Sequence, residues 1–316
     1  MKLTIWSLVR RGAVAGAIAG AATGIFGAAL TEGPLGRALQ LEDAKTLGLP
    51  PEGAAMFGRG TQLLGGIAAA VILGVAMGVI FAVAFALLRH RIASRTEFGR
   101  AAGIAAAAFL ATSLIPGLKY PSNPPTVGNP DTIGTRTGSY LLLLVTSVVL
   151  VYAVFHFWGW IGQRLDAAPR FLATAGLFAA LVTIAYLVFP PSPDAVIAPD
   201  NQAAPALVVA DSAPTPVLEG ILATSRRLKT ESIRDQRDPS QPLQLQSASA
   251  ADLRGAPVRL STAALVPHAY TTIVWQFRVA SFGGILLMWA LIATVFGWLV
   301  DRHVALASAP ARSVFG

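Results

Sequence analysis

Six stretches of this 316-residue chain are strongly apolar and free of Asp, Glu, Lys and Arg for about 18 residues or more, and that pattern constrains the fold more than any other feature. Such a stretch crosses the roughly 30 Å hydrocarbon core as about 20 residues of helix. Lipid cannot satisfy open backbone N–H and C=O groups, so helix is the expected form. The stretches fall at roughly 12–30, 62–88, 101–118, 139–160, 171–189 and 279–300. The expected fold is therefore all-α, a polytopic integral membrane protein built as a bundle of about six transmembrane helices. Only 13% of residues are charged, about half the share of a soluble domain. The two shortest stretches are sharply bounded, the third by Arg100 and Pro116-Gly117, the fifth by Pro169-Arg170 and Pro190-Pro191. The first follows Lys2, Arg10 and Arg11 as a signal peptide would, but it is longer than an h-region and Gly-rich, and it reads as a retained span.

Charge orients the bundle. With the N-terminus inside, the cytoplasmic segments hold Lys2, Arg10, Arg11, Arg89, Arg91, Arg95, Arg100, Arg164, Arg170, Arg302 and Arg312, against only Glu97, Asp166 and Asp301. The opposite short segments balance six positive residues against Glu32, Glu42, Asp43, Glu52 and Asp131. This is the asymmetry that the positive-inside rule describes. It predicts a multi-pass protein of the cell (inner) membrane with both termini cytoplasmic. The basic loops suit anionic lipid of the bilayer, with no nucleic acid as partner. There is no cysteine, which removes disulfides, thiolate metal sites and thiol redox chemistry.

Three regions follow: 1–190 with spans one to five, 191–270 as a long exported loop, and 271–316 with the last span and a cytoplasmic tail. The middle region is rich in Pro and polar residues and is expected to be largely irregular. Within it Val217, Leu218, Ile221, Leu222 and Leu228 recur at helical spacing, which suits a short helix on the membrane surface or a packed one. In the first span Gly12, Gly16, Gly20 and Gly24 repeat every four residues, and Gly74 and Gly78 repeat the device in the second. Such faces let helix backbones approach closely, for fixed packing or for sliding. Three spans on each side of the 119–138 loop have the opposed orientations that an inverted repeat needs.

The densest chemistry lies between spans three and four, from Lys119 to Thr137: KYPSNPPTVGNPDTIGTRT. Its four prolines and two glycines argue against helix, and a rigid loop at a membrane surface fixes where its polar side chains point. Lys119, Tyr120, Asn123, Asp131, Thr132 and Arg136 are its candidate functional residues. Asp131-Thr132 also reads as a cap opening the next helix. Glu32 and Arg278 lie at the outer mouths of the first and last spans and with Asp131 and Arg136 would form a charged vestibule, or pair with one another. His156 lies near the cytoplasmic end of span four among Phe155, Phe157, Trp158 and Trp160, as an interfacial anchor or a ligand. His90 and His303 sit in basic flanks.

At the Lys119–Thr137 loop the chain resembles the CbtA family, probable cobalt transporter subunits, whose hallmark looks like KYP-x-NPP-x-VG-[DN]-PDTI-x-x-RT. Glu32-Gly33-Pro34-Leu35, Ala38 to Ala44 and Arg59 to Gly65 are similar to further family segments. So is Trp275-Gln276-Phe277-Arg278-Val279-Ala280-Ser281-Phe282, ahead of the last span. Asn129 stands where many relatives carry Asp, and the long exported loop looks like an insertion. The resemblance implies cobalt(II) as the transported ion, with no permanently bound cofactor, in uptake linked to cobalamin synthesis. It also implies a small His-containing membrane partner of the CbtB type. The metal ligands it suggests are Glu32, Asp131 and His156, a sparse oxygen and imidazole set that cobalt accepts.

Three function classes remain: a transport component, a non-catalytic structural or assembly subunit, and a membrane-bound enzyme. No HExxH, GxSxG, Walker or paired-carboxylate motif is present, so no enzyme is expected. Homo-oligomerisation is left open by the sequence.

Overall fold

The computed structural model describes residues 3–36, 57–124, 132–192 and 267–308, and short pieces between 215 and 259. Among them are six helices long and apolar enough to cross a membrane, as the six stretches predict. The membrane part is all-α.

Helix α1 (Ile5–Leu30) opens earlier than its apolar stretch, because Thr4 caps it by accepting from the Ser7 N–H at 3.3 Å. Arg10 and Arg11 are thus helical, and Arg11 folds back onto the Ser7 carbonyl at 2.7 Å. Helix α2 (Arg59–Leu88) runs antiparallel to it through the glycine faces. A Cβ on Gly12 would strike the Gly78 carbonyl, one on Gly16 that of Gly74, and one on Gly20 that of Ala70. Gly24 faces Ile67 and Ala70 less tightly. In this seam backbone lies on backbone, which is what six small residues at four-residue spacing allow where lipid supplies no hydrophobic drive between helices.

The third span has three parts: α3 (Glu97–Phe109), a π-helical stretch (Leu110–Leu114) and α4 (Ile115–Lys119). Pro116 lacks an N–H and would break a continuous helix. The π turn, in which the Ile115 N–H reaches back to the Leu110 carbonyl, absorbs that break and carries the span past the Pro116-Gly117 boundary expected from sequence. At its other end α3 is capped twice. Thr96 accepts from the Gly99 N–H at 3.0 Å, and Asp301 of the last helix accepts from the N–H groups of Glu97 and Phe98 at 2.8 and 3.2 Å.

Helices α5 (Ile133–Ile161), α6 (Ala167–Val188) and α7 (Pro267–Ser308) complete the set. Helix α5 starts at Ile133, so Ile133 to Thr137 are helical although sequence favoured loop through Thr137: the prolines stop at Pro130, and Gly134 alone does not prevent the helix that the Asp131-Thr132 cap predicts. The packing divides four and two, not the three and three of an inverted repeat. α7 packs on α1 and α3, and the α5–α6 hairpin attaches through α4 and the π turn.

The main core lies in the four-helix group, where Phe296 meets Phe81 and Phe85 edge-on at 5.2 and 5.0 Å, with Leu8, Ala15, Ala19 and Ile104 around them. α1 supplies part of this core. A smaller cluster of Tyr120, Leu143 and Ala185 holds the hairpin. Trp289 of α7 donates its indole N–H to Ser113 in the π turn at 3.2 Å, a buried bond that ties the last helix to the third span within the four-helix group.

These contacts fix two ends. Glu32, Arg59, residues 119–124 and 132–137, Tyr186 and Arg278 share one, the loop end. Arg89, Arg100, Trp158, Arg170 and Asp301 share the other, the basic end. In the 191–270 region the described pieces include three short antiparallel strands, β1 (Ile233–Asp235), β2 (Pro242–Leu243) and β3 (Val258–Arg259), in the order β2-β1-β3. Leu218 and Leu222 are helical and buried, which favours a packed helix at that island over one lying on a membrane surface.

Candidate functional site at the loop end

The motif segment is held at its N-terminal side by the C-terminal end of α6 and by a side chain of α7. Lys119 donates to the Tyr186 carbonyl in the last turn of α6 at 2.8 Å, where a cation suits the helix dipole. Tyr186 returns a bond, its hydroxyl donating to the Ile115 carbonyl at 2.6 Å. Tyr120 is buried and donates its hydroxyl to the Pro190 carbonyl at 2.8 Å. Burial raises the Tyr120 pKa, and a hydrogen bond with the Ser139 side chain opposes part of that rise. From α7, half-buried Arg278 donates to the Ser122 carbonyl at 3.2 Å and the Asn123 Oδ1 at 2.6 Å, the second a short charge-assisted bond. Arg278 thus meets the motif through Asn123.

Between these ties and the start of α5 lies a cavity of about 350 Å³ lined by Tyr120, Asn123, Arg136, Thr137, Tyr140 and Ser192 among others. Among the described lining residues Arg136 carries the only formal charge, and it sits in the first turn of α5, at the positive end of the helix dipole. Thr132 occupies the N-cap of α5, as the sequence suggested, without a side-chain cap bond. Asp131 and Asn129 lie outside the described residues.

A second cavity, about 310 Å³, opens where the α1–α2 seam splays apart. Gly24 and Ile67 floor it; Thr31, Glu32, Arg59 and Gln62 line its mouth, and Thr23 lies deeper. The Glu32 carboxylate pairs here with Arg59 at 2.7 Å, not with Arg278 or Arg136. Arg59 also donates to the Gln62 side-chain oxygen at 2.9 Å.

Of the suggested metal ligands, the two described ones, Glu32 and His156, lie far apart. His156 is exposed on α5, about 35 Å of helix from the loop end at 1.5 Å per residue, whereas Glu32 is at that end. His90 and His303 also lie toward the basic end. Among the described residues no three of His, Cys, Asp and Glu group as a metal site. Sequence reasoning placed Arg59 in a family-like segment and missed its pairing. The π turn and the Asp301 cap were also missed, because contacts between residues so far apart leave no local pattern.

A family model described as CbtA, probable cobalt transporter subunit, matches residues 5–220, about two-thirds of the chain. The chain belongs to the CbtA family. The CbtA match takes in α1 to α6, both cavities' main walls and the whole Lys119–Thr137 motif. Trp275 to Phe282, similar to the family by sequence, falls beyond the matched residues, yet Arg278 within it binds the motif directly. Neither a curated protein nor a solved structure matches the chain.

Proposed function

We propose that this CbtA protein is a cobalt(II) uptake component of the inner membrane, serving cobalamin synthesis with a small His-containing membrane partner and catalysing no reaction itself. The observation that carries the reading is the family match over α1 to α6, in a chain with six helices fit to span a bilayer. The sparse metal ligands support dependence on a partner: a carrier must release its ion, and a His-rich subunit would complete a weak oxygen site. Cells lacking the gene should accumulate less cobalt at limiting supply and should need added cobalt to make cobalamin. Normal accumulation, with no redundant importer, overturns transport in favour of a structural or assembly subunit.

In this reading the Lys119–Thr137 loop is the functional centre. Lys119, Tyr120, Asn123 and Arg278 couple the ends of α4 and α6 to α7, and Asp131, Thr132 and Arg136 stand at the start of α5 on the substrate path. Asp131→Asn should abolish uptake while the protein still inserts. The loop end faces outward and the basic end faces the cytoplasm, by charge. A cysteine at exposed Ala93 should then escape an impermeant label in intact cells, and one at exposed Ser122 should react. The reverse pattern inverts the topology.

A further inference from the structure

The cleft at the splayed end of the α1–α2 seam has the chemistry that the motif cavity lacks. Its mouth holds a carboxylate, Glu32, which follows α1 and opens the helical stretch 32–36. One guanidinium already sits there. Arg59 bonds Glu32 Oε1 at 2.7 Å and the Gln62 side-chain oxygen at 2.9 Å, so two acceptor oxygens face a single positive group. Removing that group leaves both oxygens beside the space it occupied, and oxygen donors of this kind suit a divalent cation.

Arg59 is not strongly held. It is the first residue of α2, the end of a helix dipole that disfavours a cation. The pair lies at the cleft mouth, with the side chains of Arg59 and Glu32 45% and 34% exposed, and ion pairs so open to solvent contribute little. Deeper in the same cleft, the Thr23 hydroxyl oxygen is buried and makes no hydrogen bond. It is a further oxygen on the route from the mouth toward the glycine seam.

We propose that Glu32 and Gln62 form a capture site for a divalent cation at the mouth of the α1–α2 cleft, with Arg59 as its displaceable internal counter-ion. The proposal rests on the transport reading for its cargo. The arriving cation exchanges with the guanidinium, which swings into solvent, so binding is weakened by the competition and release is assisted when Arg59 returns. Thr23 accepts the ion one step further in, above the seam where the two backbones touch.

The test uses cobalt(II) chloride and the purified full-length protein in nanodiscs, with any affinity tag removed, followed by titration calorimetry. Arg59→Gln should tighten cobalt binding about fivefold, the upper end for an exposed competing ion pair. Arg59→Lys, which keeps the charge but cannot bridge both acceptors, should give a smaller gain, and Glu32→Gln should remove the site in either background. Unchanged or weaker binding in both Arg59 variants overturns the proposal, as does full binding in Glu32→Gln. If that pattern fails while uptake in cells still needs the gene, transport stands and the capture site is elsewhere. Should the pattern hold while uptake is normal without the gene, the site stands and the transport reading falls.

Discussion

The α1–α2 pair and the α5–α6 hairpin present opposite solutions at the same end of the molecule. In the first, two backbones touch along a line of glycines, and where they part the cleft carries a carboxylate beyond a helix C-terminus. In the second, the helices meet through a small cluster of larger side chains, and the cavity beside them carries a guanidinium at a helix N-terminus. Among the described lining residues the first cavity thus carries a carboxylate paired with a guanidinium, Glu32 with Arg59, and the second a guanidinium and no carboxylate. Of the two, the α1–α2 cleft is the one whose described wall offers a cation an anionic oxygen. The contrast separates two duties that the dense motif seemed to combine. The described half of the motif, tied to α6 and α7, acts as a joint between helices, and the described residues that suit an ion stand elsewhere.

The largest expected effect breaks the packing side of this comparison. Gly16→Val places side-chain carbon against the Gly74 backbone, which cannot yield without parting the helices, so the cost should lie at or above the upper end of the about 1–3 kcal/mol typical of overpacking. Gly176→Ala in α6 meets nothing within 4 Å and should be neutral, or stabilising by up to about 1 kcal/mol from helix propensity. Thermal melting of the two purified variants decides the matter. Equal losses would mean that the seam is no tighter than the hairpin.

The next effect concerns the contact between the last helix and the third span. Ser113→Ala leaves the buried Trp289 indole N–H without its acceptor, an expected cost of about 1–3 kcal/mol. Adding Trp289→Phe should recover part of that loss, because the orphaned donor goes with it. A double-mutant cycle reads the coupling directly, and additive losses would show that the bond contributes nothing.

Much of this comparison was legible in the sequence on one side only. The glycine repeat announced the seam, because a four-residue period on one helix predicts one face whatever the partner. The six spans were equally plain, since length and hydropathy are local properties. The four-and-two grouping was not, because hydropathy says which helices cross and nothing about which neighbours they choose. Glu32 and Arg278 were both singled out, but their partners, Arg59 and Asn123, lie 27 and 155 residues away, and no periodicity records such pairings. The start of α5 inside the motif was legible in the Asp131-Thr132 cap, although the prolines before it argued for loop through Thr137. His156 drew attention as an ionisable group at membrane depth, yet helix length alone keeps it from Glu32.

A smaller effect probes the joint itself. Lys119→Met removes a donor from the Tyr186 carbonyl at the α6 C-terminus while preserving most of the side chain's apolar length, and should cost about 1 kcal/mol. The same variant should leave cobalt binding by the purified protein unchanged if the ion site is in the α1–α2 cleft. A loss of affinity would move the ion toward the motif and erase the division of duties.

The smallest effect is a matter of pH and isolates the Tyr120 tie. Burial raises the Tyr120 pKa above its ordinary value of 10.0, so at neutral pH the phenol is protonated in folded and unfolded chains alike and contributes no pH dependence. Above about pH 10 the unfolded chain ionises first, and unfolding then releases a proton. The stabilisation from the neutral hydroxyl, whole below that pH, is therefore lost as pH rises through the folded-state value. Tyr120→Phe should lower the melting temperature slightly at pH 7, by a hydrogen bond worth about 0.5–1.5 kcal/mol. It should also flatten the alkaline fall in stability, since no phenol remains there to ionise. Melting curves for wild type and variant should thus differ at neutral pH and converge as the medium becomes strongly alkaline. Curves that stay parallel across that range would mean that Tyr120 ionises as freely in the folded protein as in the unfolded chain, and the motif would lose one of its three anchors.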